Sequence, residues 1–403
     1  MKLHYNLALG IIAGLEEILK EKKALRPTLN QLLKQNRKWG SRDRRLIGEG
    51  ILEIVRWKRK YEEMGKLDPH SKSYFWNLLA TWMMTRGNNL PDWHHFSSFN
   101  TEKFSVKLDE KTSSRAVNQS LPDWLDDLGI NTFKKTIWEK EITHLNTPAP
   151  LDIRANTLKT TPEKLKTILK KKYEIESVIL PDQENALRLD KHRKLTPLEP
   201  FKKGLFEVQD INSQKVSTFA NPKPGMFVID ACAGAGGKTL HLAALMQNKG
   251  KILALDPNEK KLEQLEHRIK KNGVRMVRSN KSTDEEVFKK QKENADLVLI
   301  DAPCSGLGVL RRNPATKWHM DTQRIEELIR LQQEILQKHA PLVKKGGTLV
   351  YATCSIFPNE NENQVQFFLK STLGEDFCLE KEKTLLSHLS SGDGFYMARL
   401  TKK

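Results

Sequence analysis

From Asp210 to Leu400 short apolar runs alternate with amphipathic stretches, and that alternation restricts this half of the chain to one fold class. The periodicity predicts a helix to Phe219, then strand 226–232, helix 237–247, strand 251–256, helix 258–271, strands 274–278 and 295–301, helix 321–343, strand 346–353 and helix 360–369. Strands that take turns with helices pair in parallel, because parallel neighbours need a crossover and the helix supplies it. The expectation is an α/β domain with a doubly wound, mostly parallel sheet. The last strand-like segments, Phe377–Lys381 and Phe395–Leu400, have no helix between them and are expected to add an antiparallel hairpin at one edge.

Residues 1–145 read differently. Ala8, Ile11, Ile12, Leu15, Ile18 and Leu19 recur at three- and four-residue steps, the spacing of one helix face. A second helix is expected to begin at Ser41, its hydroxyl capping free amides, and to bury Leu46, Ile47, Ile51, Ile54 and Val55. A third includes Phe75, Leu78, Leu79, Trp82 and Met83. Trp318 is the only tryptophan beyond this region, so an all-helical domain with an aromatic core is expected. At Thr147-Pro148-Ala149-Pro150 the texture changes. Leu151–Asn156 reads as a strand, Thr161 and Pro162 open a helix to Lys172, and Ile175–Leu180, Ala186–Leu189 and Leu205–Val208 read as short strands. This predicts a small α+β domain over 146–209, with the α/β domain filling 210–403.

The chain has 403 residues and a formal net charge of +18, which suits a partner dense in phosphates, and nucleic acid is the first candidate. Its four cysteines form no Cys-x-x-Cys pair, so no metal is expected. The first residues lead straight into a helical pattern containing Glu16 and Glu17, with no apolar stretch of signal or membrane length. A reduced, cytoplasmic protein without a membrane partner is expected.

Chemistry concentrates at the strand ends. Cys304, in Asp301-Ala302-Pro303-Cys304-Ser305-Gly306, and Cys354, in Thr353-Cys354-Ser355, each close an apolar run, so both thiols are expected at the carboxyl edge of one sheet. Asp230-Ala231-Cys232-Ala233-Gly234-Ala235-Gly236-Gly237-Lys238-Thr239 puts a glycine-rich loop on the same edge. A phosphate-binding P-loop would need glycine where Cys232 stands, and a dinucleotide fingerprint would need it at Thr239. S-adenosylmethionine needs bare backbone and an acid for the ribose at the end of the next strand, and Asp256 supplies that acid. Asp256 alone does not separate this cofactor from NAD. The thiols do: hydride transfer needs no cysteine, whereas methylating pyrimidine C5 needs a nucleophile at C6. Cys378, and the Cys232 side chain, read as small apolar core filler.

Taken together these segments resemble the bacterial small-subunit rRNA cytosine-C5 methyltransferases, relatives of the eukaryotic nucleolar and tRNA cytosine methyltransferases. The likeness rests on Ser41-Arg42-Asp43-Arg44-Arg45 with Val55-Arg56-Trp57, on Ile153-Arg154-Ala155-Asn156-Thr157, on Phe206-Glu207-Val208-Gln209-Asp210 and on the glycine loop. It continues through Asp301–Gly306, Arg311-Arg312-Asn313-Pro314, Lys317-Trp318, Tyr351–Ser355, Pro358-Asn359-Glu360-Asn361-Glu362 and Asp393-Gly394-Phe395-Tyr396. It implies a Rossmann-like class I S-adenosylmethionine-dependent methyltransferase domain with a seven-stranded sheet, preceded by a NusB-like helical domain. It further implies that Cys354 attacks C6 of cytosine, that Cys304 assists release, that Asp301 hydrogen-bonds the base at N3 and its amine, and that Lys238 helps hold the base. Cys232, Ala233, Gly234, Ala235, Gly236, Gly237, Lys238, Asp256 and Asp301 would enclose S-adenosylmethionine. Basic motif residues Arg154, Arg311, Arg312 and Lys317 are expected on RNA, the paired arginines on phosphate beside the target nucleotide.

Two departures stand out. The family's Ala-Pro in the glycine loop is Gly234-Ala235, which is expected to loosen the loop. Its acid beside the adenine is missing after the third strand, where Asn280 or Ser282, and less readily Asp284, would take over. The implied partner of this monomer is 16S rRNA or an assembly intermediate. Rivals are tRNA or 23S rRNA as substrate, a non-catalytic ribosome-assembly factor, and a protein or DNA amine methyltransferase, for which the thiols would be idle.

Overall fold

The structure is a computed structural model and describes residues 3–108 and 113–403; residues 109–112 of the stretch read as helical lie outside it. The chain forms two compact units. The first runs to Thr147 and also takes Leu310–Thr322; the second comprises Pro148–Val309 and Gln323–Lys403. The sequence reading had left residues 310–322 inside the α/β domain.

Helices Tyr5–Leu15, Ser41–Gly65 and Tyr74–Thr85 build the first unit's core, where Ile11, Leu15, Ile47, Ile51, Ile54, Leu78 and Trp82 are fully buried. Each such side chain contributes roughly 2 kcal/mol by leaving water. Ser41 does not cap its helix. It is the first helical residue, and the Gly40 N–H donates to Asp43 Oδ2 at 2.9 Å instead. The helix bends at Trp57, whose φ of −108° and ψ of 19° leave the helical range. The cause lies in Leu310–Thr322. The Trp318 Nε1–H donates to the Val55 carbonyl at 2.7 Å and Lys317 Nζ to the Arg56 carbonyl at 2.9 Å, drawing those acceptors out of the helical ladder. Ala315 and Trp318 join the same apolar core, so the one tryptophan remote in sequence shares it with Trp39, Trp57, Trp76, Trp82 and Trp93.

The second unit holds two sheets. The smaller is wholly antiparallel in the order β2-β3-β1-β4, from β1 (Leu151–Ala155), β2 (Ser177–Leu180), β3 (Gln183–Leu189) and β4 (Phe206–Val208). The helix Pro162–Tyr173 packs Leu165 and Leu169 on Ile153, Leu187 and Phe206, and Thr161 Oγ1 accepts from the Lys164 N–H at 3.3 Å. The larger sheet has seven strands: β5 (Phe227–Asp230), β6 (Lys251–Asp256), β7 (Val277–Lys281), β8 (Ala295–Asp301), β9 (Val343–Thr353), β10 (Phe377–Leu385) and β11 (Phe395–Lys402). Their order is β10-β11-β9-β8-β5-β6-β7, parallel from β9 to β7 and antiparallel in the hairpin edge. This is a Rossmann-like α/β fold.

Three boundaries differ from expectation. The third strand starts at Val277 rather than 274, because Gly273 in the left-handed region ends the preceding helix and the Val274 N–H returns to the Ile269 carbonyl at 3.1 Å. The long helix stops at His339, before a 3-10 turn containing Pro341. An unexpected helix, Glu285–Gln291, is capped by Asp284, whose side chain accepts from the Glu286 N–H at 3.1 Å. Among the described residues no helix is long and apolar enough to cross a membrane.

Candidate active site

β5, β6, β8 and β9 are mutually parallel, so their carboxyl ends share one edge. β5 runs into the glycine loop, β6 ends on Asp256, β8 on Asp301, and β9 one residue before Cys354. A cavity of about 840 Å³ opens at this edge. Its wall takes Cys232, Ala233, Gly234, Ala235, Gly237 and Lys238 from the loop, with Asp256, Ser282 and Asp301 from the strand ends. Leu331, Glu334, Ile335 and Lys338 of the helix Thr322–His339 close another side. Sequence reasoning missed those four, although their i, i+3, i+4, i+7 spacing marks a second helix face beside the buried Leu328, Gln332 and Leu336 stripe.

Asp256 uses both oxygens at the mouth of the loop. Oδ2 accepts from the Gly234 N–H at 2.9 Å and Oδ1 from the Asn258 N–H at 2.8 Å. Each oxygen keeps a further lone pair for a hydroxyl. Gly234 has φ of +55°, a conformation glycine adopts without steric cost, and Asp256 ties down its N–H. Two expected cofactor residues sit off the wall. Gly236 lies against the Leu265 side chain, where any Cβ would collide, and serves the turn. Asn280 lines shallow grooves with Glu266 and Ser279 instead, leaving Ser282 and its neighbour Thr283 as the polar side chains after β7 that reach the cavity.

Deeper in, Lys238 Nζ lies 2.6 Å from Asp301 Oδ2 and 5.4 Å from the centre of the Phe395 ring. Burial opposes the charge of Lys238, but Asp301, Cys354 and Asp230 outweigh it and its pKa is raised. Beneath it Asp230 is fully buried and accepts from Thr239 Oγ1 at 2.6 Å; burial pushes its pKa up to about 6.

The two thiols meet. Cys304 Sγ and Cys354 Sγ are 3.3 Å apart, and the Cys354 N–H points at Cys304 Sγ, also at 3.3 Å. The hydrogen bond to Cys354, then burial, then the charges of Cys354 and Glu360 raise the Cys304 pKa well above that of a free thiol. Cys304 therefore holds its proton. Burial and the nearby aspartates likewise raise the Cys232 pKa. Cys378 is exposed, not buried as expected, because it sits on β10, an edge strand exposed along most of its length. Gly308 presses the Cys354 loop into place: its N–H donates to the Cys354 carbonyl at 3.0 Å, and its carbonyl accepts from the Gly394 N–H at 2.7 Å. A Cβ on Gly308 would sit 2.7 Å from the Cys354 oxygen and collide with the Gly394 carbonyl.

The residues expected on RNA separate sharply. Arg154 is buried within the second unit, bonded to the Gln209 side chain and, at 3.0 Å, to the Gly237 carbonyl, so it braces the glycine loop. Burial lowers its pKa to about 9. Lys317 is buried in the first unit, where Nζ donates to the Arg56 carbonyl and to Asn146 Oδ1 at 3.3 Å. Arg311 is buried there too, and its carbonyl accepts from Arg56 Nη2 at 2.8 Å. The Arg154 and Lys317 side chains are thus spent on internal contacts, and Arg311 is buried. Arg312 is half-buried.

Residues 217–401 match the family described as 16S rRNA methyltransferase RsmB/F. The chain is 35% identical, over 73% of its own length and 70% of the relative's, to the probable ribosomal RNA small subunit methyltransferase B of Synechocystis sp.. It belongs to this family. To the ribosomal RNA small subunit methyltransferase B of Photorhabdus laumondii it is 32% identical, covering 75% of this chain and 71% of the relative. The crystal structure of PH0851 covers 100% of both chains with a TM-score of 0.83 at 26% identity. As a member of the 16S rRNA methyltransferase RsmB/F family the chain is an S-adenosylmethionine-dependent RNA methyltransferase. The cavity fits that cofactor, with open loop backbone, the Asp256 carboxylate at its mouth and apolar Leu331 and Ile335 opposite.

Proposed function

We propose that this enzyme methylates C5 of one cytosine in 16S rRNA through a covalent bond between Cys354 Sγ and C6 of the base. The observation that carries this reading is the thiol pair, 3.3 Å apart, beside the Lys238–Asp301 ion pair at the cavity edge. Methylation of an exocyclic amine uses the nitrogen lone pair and gives a thiol no task. C5 becomes nucleophilic only after a group adds at C6.

Residues 232–235, 237 and 238 of the loop, with Asp256, would hold S-adenosylmethionine, which would supply an electrophilic methyl carbon. Cys354 Sγ adds to C6 as a thiolate, and negative charge spreads over the ring. The Lys238 ammonium stabilises that charge, and the Asp301 carboxylate, held 2.6 Å from Lys238, accepts from the base's amine. After C5 has taken the methyl group, its proton leaves, the C5–C6 double bond re-forms and the C6–Sγ bond breaks. Cys304, keeping its proton, donates to the departing Cys354 sulfur. The target base must leave its stack to expose C6 on one face and C5 to the methyl on another, so an unfolded assembly intermediate is the better substrate. On this reading the enzyme acts as a monomer, and ribosome assembly sets its work in the cytoplasm.

The test is a pair of variants given labelled cofactor and 16S rRNA. Cys354→Ala is expected to lose at least about 10³-fold in methylation and to form no adduct. Cys304→Ala is expected to accumulate a protein–RNA complex that survives denaturing gels. Swapped outcomes would reverse the two roles, and wild-type behaviour of both would overturn covalent catalysis. Mapping 5-methylcytosine in a strain lacking the protein distinguishes 16S rRNA from tRNA or 23S rRNA.

A further inference from the structure

The segment Pro358-Asn359-Glu360-Asn361-Glu362 reaches neither the cavity nor the bulk of solvent with its two central side chains: Glu360 is 1% exposed and Asn361 0%. Each grips a different cysteine loop. Glu360 Oε1 accepts from the Ser305 N–H at 2.7 Å and Oε2 from the Ser305 hydroxyl at 2.5 Å. Gln332, on the helix Thr322–His339, donates to Glu360 Oε1 at 3.1 Å and to the Pro303 carbonyl at 3.0 Å. Residues 303 and 305, on both sides of Cys304, are thus fastened to one carboxylate and its amide partner. Asn361 does the same for the other thiol: Oδ1 accepts from Thr353 Oγ1 at 2.5 Å, and Nδ2 donates to the Ser355 carbonyl at 3.1 Å. The Tyr351 hydroxyl donates to the Glu360 carbonyl at 2.7 Å, tying the clamp to β9.

We infer that Glu360 and Asn361 are positioning residues with separate duties, Glu360 holding Cys304 against the Cys354 sulfur for release and Asn361 holding Cys354 for attack. This rests on the roles proposed above for the two cysteines. Glu360 is surrounded by donors, an arrangement that suits a carboxylate acting only as acceptor, and makes no ion pair with the described residues. Its uncompensated charge is one of the influences that keep the proton on Cys304, behind the hydrogen bond to Cys354 and burial. In release, water takes the C5 proton and the C5–H electron pair becomes the C5–C6 π bond. The C6–Sγ electron pair departs with Cys354 as thiolate. The Cys304 S–H donates a hydrogen bond to that sulfur as charge builds on it. Without the carboxylate, the 303–305 loop loosens and Cys304 ionises more readily, and a thiolate has no proton to donate.

Glu360→Gln keeps the shape and removes the charge. Its first turnover of methyl transfer is expected within about threefold of wild type. Steady-state turnover should fall on the order of 10-fold and covalent RNA complex should accumulate, since a disturbed buried acceptor costs the equivalent of about that factor. The release rate should also decline at lower pH than in wild type, as Cys304 loses its proton earlier. Asn361→Leu is expected to do the reverse, slowing adduct formation on the order of 10-fold without trapping complex. Should Glu360→Gln fold poorly, Gln332→Leu withdraws the amide from the same carboxylate and should trap complex more weakly. A purely structural role would lower the melting temperature and slow every step equally in all three variants, and that result would overturn the inference. Cys304→Ala is run alongside: complex in Cys304→Ala but not in Glu360→Gln or Gln332→Leu sinks the clamp alone, and none in Cys304→Ala sinks the reading beneath it.

Discussion

Two loops close in sequence treat their polar residues in opposite ways. Asp301–Gly306 leaves its Asp301 carboxylate facing Lys238 at the cavity edge and its Cys304 thiol facing Cys354. Arg311–Trp318 turns Lys317 and Trp318 onto the carbonyls of Arg56 and Val55 inside the first unit. Both runs read as motifs, and both are rich in groups that bind ligands. What separates them is where each donor's hydrogen bonds go. A buried donor already spent on a backbone carbonyl serves the fold, whereas a thiol facing a thiol has no structural need of that partner.

The sharpest test of the comparison, after removal of Cys354 itself, falls on the glycine that holds the active loop. Gly308→Ala would force a Cβ against two backbone oxygens that cannot swing aside, those of Cys354 and Gly394. A stability loss on the order of 3 kcal/mol is expected from such overpacking. Because the displaced loop carries the proposed nucleophile, methylation per folded molecule should fall at least about 100-fold. Denaturation curves and single-turnover rates check the two separately. Wild-type values in both would show that the loop is less constrained than its contacts imply.

The same contrast explains what was legible in the sequence. Seven strands and their helices were readable because apolar periodicity is local, and the placing of Cys304, Cys354, Asp256 and Asp301 because each ends a strand or lies within three residues of its end. Thr161 and Pro162 gave a readable helix start because their capping chemistry is wholly local. Ser41 failed because the helix starts one residue early, leaving Gly40 at the capping position and Ser41 already helical. Leu310–Thr322 failed because its partners lie at Val55, Arg56 and Asn146, and no periodicity announces a pairing across 171 or 263 residues. Asn280 failed because a shift of β7 by three residues changes which side chain ends the strand.

Lys317→Met breaks or sharpens the other half of the comparison. The side chain keeps its length and loses three donors, leaving the Arg56 carbonyl and Asn146 Oδ1 without that partner. Loss of those bonds costs about 2 kcal/mol, partly offset by removing a buried charge whose pKa burial and then Arg56 already depress. A fall of about 1–2 kcal/mol is expected in chemical denaturation. RNA affinity should keep its salt dependence. If Lys317 met phosphate instead, stability would hold and the slope of log K against log salt would drop by about 0.7–0.9.

The smallest expected effect concerns Asp230, which lies under the site and shows that buried polarity at this edge also carries a cost. Its pKa is raised from 3.8 to about 6, chiefly by burial, so between those values the native state binds a proton that the unfolded chain has released. Stability from this group is therefore full below about pH 4, falls as pH rises through the window, and is lost above about pH 6. Asp230→Asn cannot titrate, and its amide oxygen still accepts from Thr239 Oγ1, now 2.6 Å from the carboxylate. The variant should be more stable than wild type at pH 7 by on the order of 2 kcal/mol and should lose that advantage towards pH 4. Urea denaturation at pH 4, 5, 6 and 7 follows the difference. A constant difference across that range would mean that Asp230 titrates as it does in the unfolded chain, and that the ionised carboxylate is accommodated beneath Lys238 without penalty.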